Sequence, residues 1–292
     1  MEKLLQWAVD NSNKNSLSEQ ADAIRRGEAK PDPSKYDPKI LEAILGKDDA
    51  TRMKEAVECI SNPEDTVENK EIALDNLELL IEGIDNACNI ENMKLWPAII
   101  KQLDAKEPEV RKGVAWVCGT AVQNNPKAQT AFMTHGGLQP LLNLLAHDSD
   151  KGVRNKALYA ISGFLKHNTP GVLEFEKLDG FNVLRVILST EDAAMLRKVI
   201  FLYNSLMIDN EALATRFVKD GTFDDFQKVL IKYTEEDEDE DMVEKTLRTI
   251  HTVVTKSQTS VSDELRKACQ KAKDKYGTDN LNLVESEWED LL

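Results

Sequence analysis

The sequence predicts an all-α solenoid of stacked repeats, and three observations carry that prediction. Arginines recur 43 residues apart at Arg111, Arg154 and Arg197, each opening an apolar segment: VRKGVAWVCG, VRNKALYAIS and LRKVIFLYNS. Gly137 and Gly180, in HGGLQPLLNLL and LDGFNVLRVIL, keep the same spacing, so the repeating unit is longer than one helix. Within the apolar segments the hydrophobic residues step by +4, +3, +4, as in Ala73, Leu77, Leu80 and Ile84, which gives each helix one buried face. A period of this length marks units that cannot bury their apolar faces alone and stack on their neighbours to do so.

Composition fits that architecture. Hydrophobic residues make up 41% of the chain, charged residues 30% and aromatics only 6%, a helix-rich balance with enough apolar material for one continuous core. At 292 residues the ordinary expectation is about two domains, but a solenoid grows by adding units to a single core. The 37 basic and 52 acidic residues leave a net charge of −15, and seven of those negative charges form one run, Glu235 to Asp241. Nucleic-acid phosphates and anionic membrane surfaces call for clustered Lys and Arg, so neither is an expected partner. The four cysteines, Cys59, Cys88, Cys118 and Cys269, stand at least 29 residues apart. No Cys-x-x-Cys pair is present, so no metal site or cofactor is expected, and scattered thiols suit a reducing compartment. The opening MEKLLQWAVDNS is too short an apolar stretch for a signal peptide, and no run approaches the ~18 apolar residues of a membrane span. The expected location is cytoplasmic.

Taken in order, residues 1–30 read as a mobile N-terminal segment. Leu4, Leu5, Ala8 and Val9 lie at helical spacing, and a second short helix opens on Ser16-x-x-Glu19 and stops at Gly27. Residues 31–38 carry Pro31, Pro33 and Pro38 and form a linker, because each proline removes a backbone donor and turns its predecessor away from the helical region. Residues 39–65 supply N-terminal capping helices. Residues 66–258 hold the repeats, beginning with a long helix that Asp65-x-x-Glu68 caps and that ends near Ile84. Units fall at about 66–109, 110–152, 153–194 and 195–234, and a degenerate one follows the acidic stretch 235–241, where Val243, Leu247, Ile250 and Val254 again step by +4, +3, +4. Asn125-Pro126 and Thr169-Pro170 place a capping side chain ahead of a first-turn proline. Gly136-Gly137, Gly180 and Gly221 end short helices, where a left-handed residue is wanted. Residues 259–292 form a capping helix and an acidic-apolar tail that either docks or stays free. Three helices in ~42 residues fit a right-handed armadillo-repeat solenoid with capping helices, not the two-helix tetratricopeptide unit.

Catalysis finds no support in the motifs. The four histidines, His135, His147, His167 and His251, have no nucleophile or metal partner at telling spacing, and no HExxH, GxSxG, Walker-type or GxGxxG sequence occurs. His147 with Asp148 is the one conceivable base and orienter, and a histidine at the end of an exposed helix is the plainer reading. The acidic run reads as a self-repelling solvated loop in preference to a binding tail for basic partners. The repeated Arg111 and Arg154 read as architecture, reaching back to the carbonyls of the preceding unit's last turn.

Three stretches resemble one family. MEKLLQWAVDNS, NKEIALDNLELLIEGIDNACNIENMKLW and GTAVQNNPKAQ are similar to the armadillo-type nucleotide exchange factors of the 70-kDa heat-shock chaperones, the fungal Fes proteins and the animal Hsp-binding proteins. The likeness covers residues 1–12 and roughly 50–230. It implies a non-enzymatic co-chaperone whose curved domain grips one lobe of the chaperone's nucleotide-binding domain and loosens the other. ADP then leaves, ATP enters and the client is released. It also implies contact roles for Ala87, read here as a small residue in a polar turn, for its neighbours Asn86 and Asn89, and for Arg197; Arg154 is added on repeat position alone. The N-terminal segment, with Leu4, Leu5, Trp7, Asn11 and Ser12, resembles a release segment that occupies the chaperone's peptide-binding domain; docking on the first repeat is the alternative. A proline-containing linker stands where many relatives have a glycine-rich one.

Two other readings remain beside this one. A general armadillo adaptor for basic peptides would carry a regular ladder of Trp and Asn, whereas Trp116 is matched here by Tyr159 and Leu202. An enzyme regulator unrelated to chaperones is the more distant alternative. The degenerate end units look like caps, so a monomer is expected.

Overall fold

The structure, a computed structural model, describes residues 14–27, 46–189 and 192–292. The expectations for Leu4, Leu5, Trp7, Asn11 and Ser12 and for the linker 31–38 lie outside the described residues. The chain divides into two units, Met1–Met53 and Lys54–Leu292. In the first, α1 (Lys14–Arg25) opens two residues ahead of Ser16 and stops at Gly27, which takes the left-handed conformation at φ 73°. The next helix, α2 (Asp49–Ser61), starts where Asp48 accepts from the Thr51 backbone N–H at 3.0 Å.

The rest is a series of helices, seven of which start on a short polar side chain that accepts from a first-turn backbone N–H. The first is α3 (Val67–Ile81), and then come α4 (Ile84–Asn92), α5 (Trp96–Lys101) and α6 (Pro108–Val122). The second set is α7 (Pro126–Thr134), α8 (Leu138–His147) and α9 (Lys151–Leu165). The third is α10 (Thr169–Lys177), α11 (Gly180–Leu188) and α12 (Ala193–Asp209), and the fourth α13 (Ala212–Lys219), α14 (Thr222–Glu235) and α15 (Glu240–Ser257). Finally come α16 (Asp263–Tyr276), α17 (Thr278–Leu281) and α18 (Glu285–Leu291). Each set ends in a long helix, and these long helices, α3, α6, α9, α12 and α15, stack side by side as a ladder.

Local chemistry corrects several expected boundaries. Thr66, not Asp65, caps α3, accepting from Asn69 N–H at 3.2 Å, while Asp65 takes side-chain bonds from Asn62 and Asn69. That helix ends at Ile81, so Ile84 opens the next one and is exposed. Asn125 caps α7 as expected, but Asn168, not Thr169, caps α10. An asparagine at both positions keeps the 43-residue period that the Thr reading breaks.

The glycines divide in the same way. Gly136 and Gly221 take positive φ, 71° and 83°. Gly137 and Gly180 do not. At the second site Asp179 supplies the left-handed residue, φ 59°, and the glycine serves close packing. A Cβ on Gly180 would stand 2.4 Å from the Phe175 ring, and one on Gly137 would stand 2.2 Å from Phe132. Phe132 and Phe175 are themselves 43 residues apart, so the repeated glycine marks a ring seated on backbone.

The core is continuous along the solenoid. Trp96, Phe132 and Phe164 make edge-to-face pairs with centroids 5.3 and 5.6 Å apart, joining the first two sets. Phe175, Phe181, Phe217, Tyr203 and Phe226 extend the chain through the third and fourth. At the far end the acidic tail docks: Trp288 and Leu291 are buried, α18 packs on α15, and Asp290 meets His251 at 3.0 Å. Among the described residues no helix is long and apolar enough to cross a membrane.

Candidate functional site

Stacking the long helices leaves one edge of each facing solvent, and that edge has a consistent chemistry. It carries Lys112 and Trp116 on α6, Lys156 and Tyr159 on α9, Lys198 and Phe201 on α12, and Lys245 and Arg248 on α15. Neighbouring rungs are tied to one another. The Lys156 ammonium sits 3.7 Å from the centre of the Trp116 ring, a cation–π contact between α9 and α6. Tyr159 donates to Gln123 at 3.0 Å, Thr120 donates to the buried Glu78 at 2.7 Å, and Lys198 donates to Asn155 at 3.0 Å. Burial pushes the Lys156 ammonium below the ordinary lysine range; Glu78 opposes the shift, and Lys198 and Lys112 add to it.

The ladder is unevenly spaced. α6 packs closely along both α3 and α9, whereas α12 meets α9 at few positions. Between those two helices lies a groove of about 500 Å³ lined by Leu158, Tyr159, Ser162 and Phe201, with Arg197, Lys198 and Lys245 at its rim. Phe201 is 58% exposed, an uncovered aromatic side chain at the middle of a basic lip. A fixed 43-residue period pairs Trp116 and Tyr159 with Leu202, which is buried at 3%. The aromatic series is present after all, as Trp116, Tyr159 and Phe201. Its last step is 42 residues instead of 43, and that one-residue slip hides it from a fixed period.

The repeated arginines tie neighbouring elements together. Arg111 grips Asp148 with Nε at 2.7 Å and Nη2 at 3.0 Å, and also donates to the carbonyls of Ala105 and Lys106. Arg154 donates to the Leu145 carbonyl in the last turn of α8 at 3.0 Å. Both therefore reach the preceding turn in the way their spacing suggests. Arg197 pairs with Asp239 at 2.5 Å and Asp241 at 2.6 Å while lining the groove.

The other predicted residues sit elsewhere. Ala87 is not in a turn: it lies within α4 and is 2% exposed. Asn86, half-buried, donates to the Leu80 carbonyl at 2.9 Å, and Asn89 accepts from Asn92 at 3.0 Å. α4 packs on α6 and α7, two sets away from α12, so these three residues and Arg197 do not form one cluster.

A ladder of long helices with an aromatic, basic edge and a half-open groove defines a protein-binding solenoid of the armadillo class. A designed armadillo repeat protein superposes with a TM-score of 0.64 at 16% identity, covering 82% of this chain and all of that one. A second, solved "in complex with peptide (KR)4", superposes at 0.60 and 15%, covering 82% of this chain and 96% of the other. At such identity the likeness concerns the fold alone. Sequence comparison then gives the family. Residues 1–90 match the model described as Nucleotide exchange factor Fes1, and residues 86–231 match the SIL1/FES1/HPBP1 C-terminal domain. A relative named Hsp70 nucleotide exchange factor fes1 from Schizosaccharomyces pombe is 36% identical, covering 84% of this chain and 87% of that protein. FES1 relatives from Mycosarcoma maydis and Saccharomyces cerevisiae are 39% and 40% identical, covering 72% and 66% of this chain and 55% and 65% of theirs. The chain belongs to the Fes1 family of nucleotide exchange factors.

Proposed function

We propose that this protein is a nucleotide exchange factor for a cytosolic 70-kDa heat-shock chaperone and that the open ladder edge is the face it presents to the chaperone's nucleotide-binding domain. The observation that carries the reading is the aromatic, basic groove between α9 and α12 in a chain of this family. Exposed aromatic and arginine side chains around a recess are the usual energetic centre of a protein interface. Its rim of Arg197, Lys198 and Lys245 favours an acidic partner surface and disfavours the basic peptides that an armadillo adaptor would carry. Exchange needs no covalent step. A factor that binds the ADP-free chaperone better than the ADP-bound one lowers ADP affinity, and ADP lowers the factor's affinity by the same ratio.

Within this reading Arg197, with its side chain 31% exposed, is the predicted contact residue on the groove itself. Arg154 belongs to the scaffold beside it. Asn86 and Asn89 offer amides on the half-buried side of α4, and Ala87 contributes by packing. The N-terminal residues Leu4, Leu5, Trp7, Asn11 and Ser12 act separately, occupying the chaperone's peptide-binding domain so that released clients do not rebind.

Stopped-flow release of a fluorescent ADP analogue from the chaperone tests the proposal. The full chain accelerates release. A variant with Leu4, Leu5 and Trp7 replaced by Ser accelerates it equally but lets clients rebind in a client-release assay. No acceleration by the full chain would sink the exchange function.

A further inference from the structure

Read as sequence, Glu235 to Asp241 is a self-repelling solvated loop. In the structure five of its seven carboxylates are in ion pairs, and these divide into two groups. Glu235 pairs with Lys271 at 2.8 Å, Asp237 with Lys232 at 3.3 Å and Glu238 with Lys275 at 2.9 Å, all on α14 and α16, away from the groove. Asp239 and Asp241 instead pair with Arg197, and Asp241 also with Lys245, two of the three cations on the groove's rim. Asp239 has a second duty, since its other oxygen caps α15 by accepting from the Met242 N–H at 3.0 Å. Asp241 has no capping bond, and its side chain is 54% exposed.

Another arginine–aspartate pair gives a comparison. Arg111, near the start of α6, meets Asp148, between α8 and α9, and their side chains are only 16% and 4% exposed. That pair is built into the packing. The Arg197 pair is looser, with the arginine at 31% and its two carboxylates at 25% and 54%, and exposed ion pairs of this kind hold weakly enough to exchange partners.

We propose that the acidic run is an intramolecular latch: Asp241, steadied by Asp239 and by the three anchoring pairs behind them, neutralises Arg197 and Lys245 and gives them up when an acidic partner surface enters the groove. This rests on the ladder face being the partner face. With the latch closed the rim's Arg197, Lys198 and Lys245 are offset by two carboxylates, and an approaching acidic surface meets little net attraction. With it open the rim carries net positive charge, although Glu244 stays 3.8 Å from Lys245. The run thereby sets the affinity of the groove, and it makes that affinity depend on competition between carboxylates of this chain and those of the partner.

The test uses the full chain and its Asp241→Asn, Glu236→Gln and Arg197→Ala variants, with affinity for the ADP-bound chaperone read by biolayer interferometry. Glu236 is an exposed residue of the same run and does not line the groove, so Glu236→Gln removes one charge without touching the latch. Asp241→Asn binds about threefold or more tightly than wild type. Glu236→Gln stays close to wild type, and the gain from Asp241→Asn shrinks in the Arg197→Ala background. Equal effects of the two single variants, or weaker binding by Asp241→Asn, would overturn the latch. The Arg197 Nε–H resonance in the free chain gives a readout that needs no chaperone: it moves in Asp241→Asn and stays put in Glu236→Gln. Should no variant bind chaperone while that resonance behaves so, the partner assignment fails and the intramolecular contact stands. An unmoved resonance removes the latch whatever the binding shows.

Discussion

Asp148 shows how much of this fold rests on single polar contacts. Burial pushes its carboxyl up. The Arg111 hydrogen bonds, the Asp150 backbone N–H and the nearby Arg111 and Arg154 charges more than offset this and hold it below the usual carboxylate range. A carboxyl depressed in the folded state adds stability that is complete above its unfolded value near ~4 and disappears as pH falls through the lower folded value. Asp148→Asn leaves Arg111 without its counter-charge in a nearly dry site and lowers stability by about 3 kcal/mol. Urea midpoints measured from pH 7 downward give the check: the gap between wild type and variant is constant above the ordinary carboxylate range and closes below it. A gap that does not change with pH contradicts the assignment. The spacing of the arginines was readable as architecture because a basic residue at a fixed repeat position has a carbonyl-rich turn before it. Their carboxylate partners were not, since Asp148 lies 37 residues after Arg111 and Asp239 lies 42 after Arg197.

At the scale of elements, the sequence pattern located helices better than it located their ends or exposed faces. The +4, +3, +4 steps found the buried faces of α3 and α15 because burial imposes that period. They overran α3, since Ile84 continues the step arithmetically while Gly83 ends the helix and a new one begins. Ala87 fell into the same gap: DNACN has the composition of a turn, yet it folds as α4 with Ala87 facing inward. A consequence follows for mutagenesis. Ala87→Arg forces a charged side chain into a packed helix contact, and the overpacking alone costs about 1–3 kcal/mol. We expect its thermal midpoint to fall, so weakened partner binding in that variant reports on the scaffold as much as on contact. An unchanged midpoint would show that α4 tolerates the arginine and would return Ala87 to the surface.

For the whole molecule, the period gives the ladder, and a departure from the period gives the groove. Close stacking of α3, α6 and α9 follows from repeated small and apolar residues, and the opening between α9 and α12 coincides with the one-residue shift that brings Phe201, not Leu202, to the surface. The fold was therefore legible from internal similarity, whereas the site lies where the similarity breaks and needed three-dimensional placement to be found. The central claim is that exchange runs through this face. Its most direct test compares Phe201→Asp, on the groove, with Leu173→Asp, on α10, where the native leucine is equally uncovered at 55%. The measurement is the rate of ADP-analogue release from the chaperone, on variants whose circular dichroism matches wild type. We expect Phe201→Asp to lose at least about tenfold of the acceleration, as for the aromatic centre of an interface, and Leu173→Asp to keep it. Full acceleration by Phe201→Asp, or loss only in Leu173→Asp, would contradict the account.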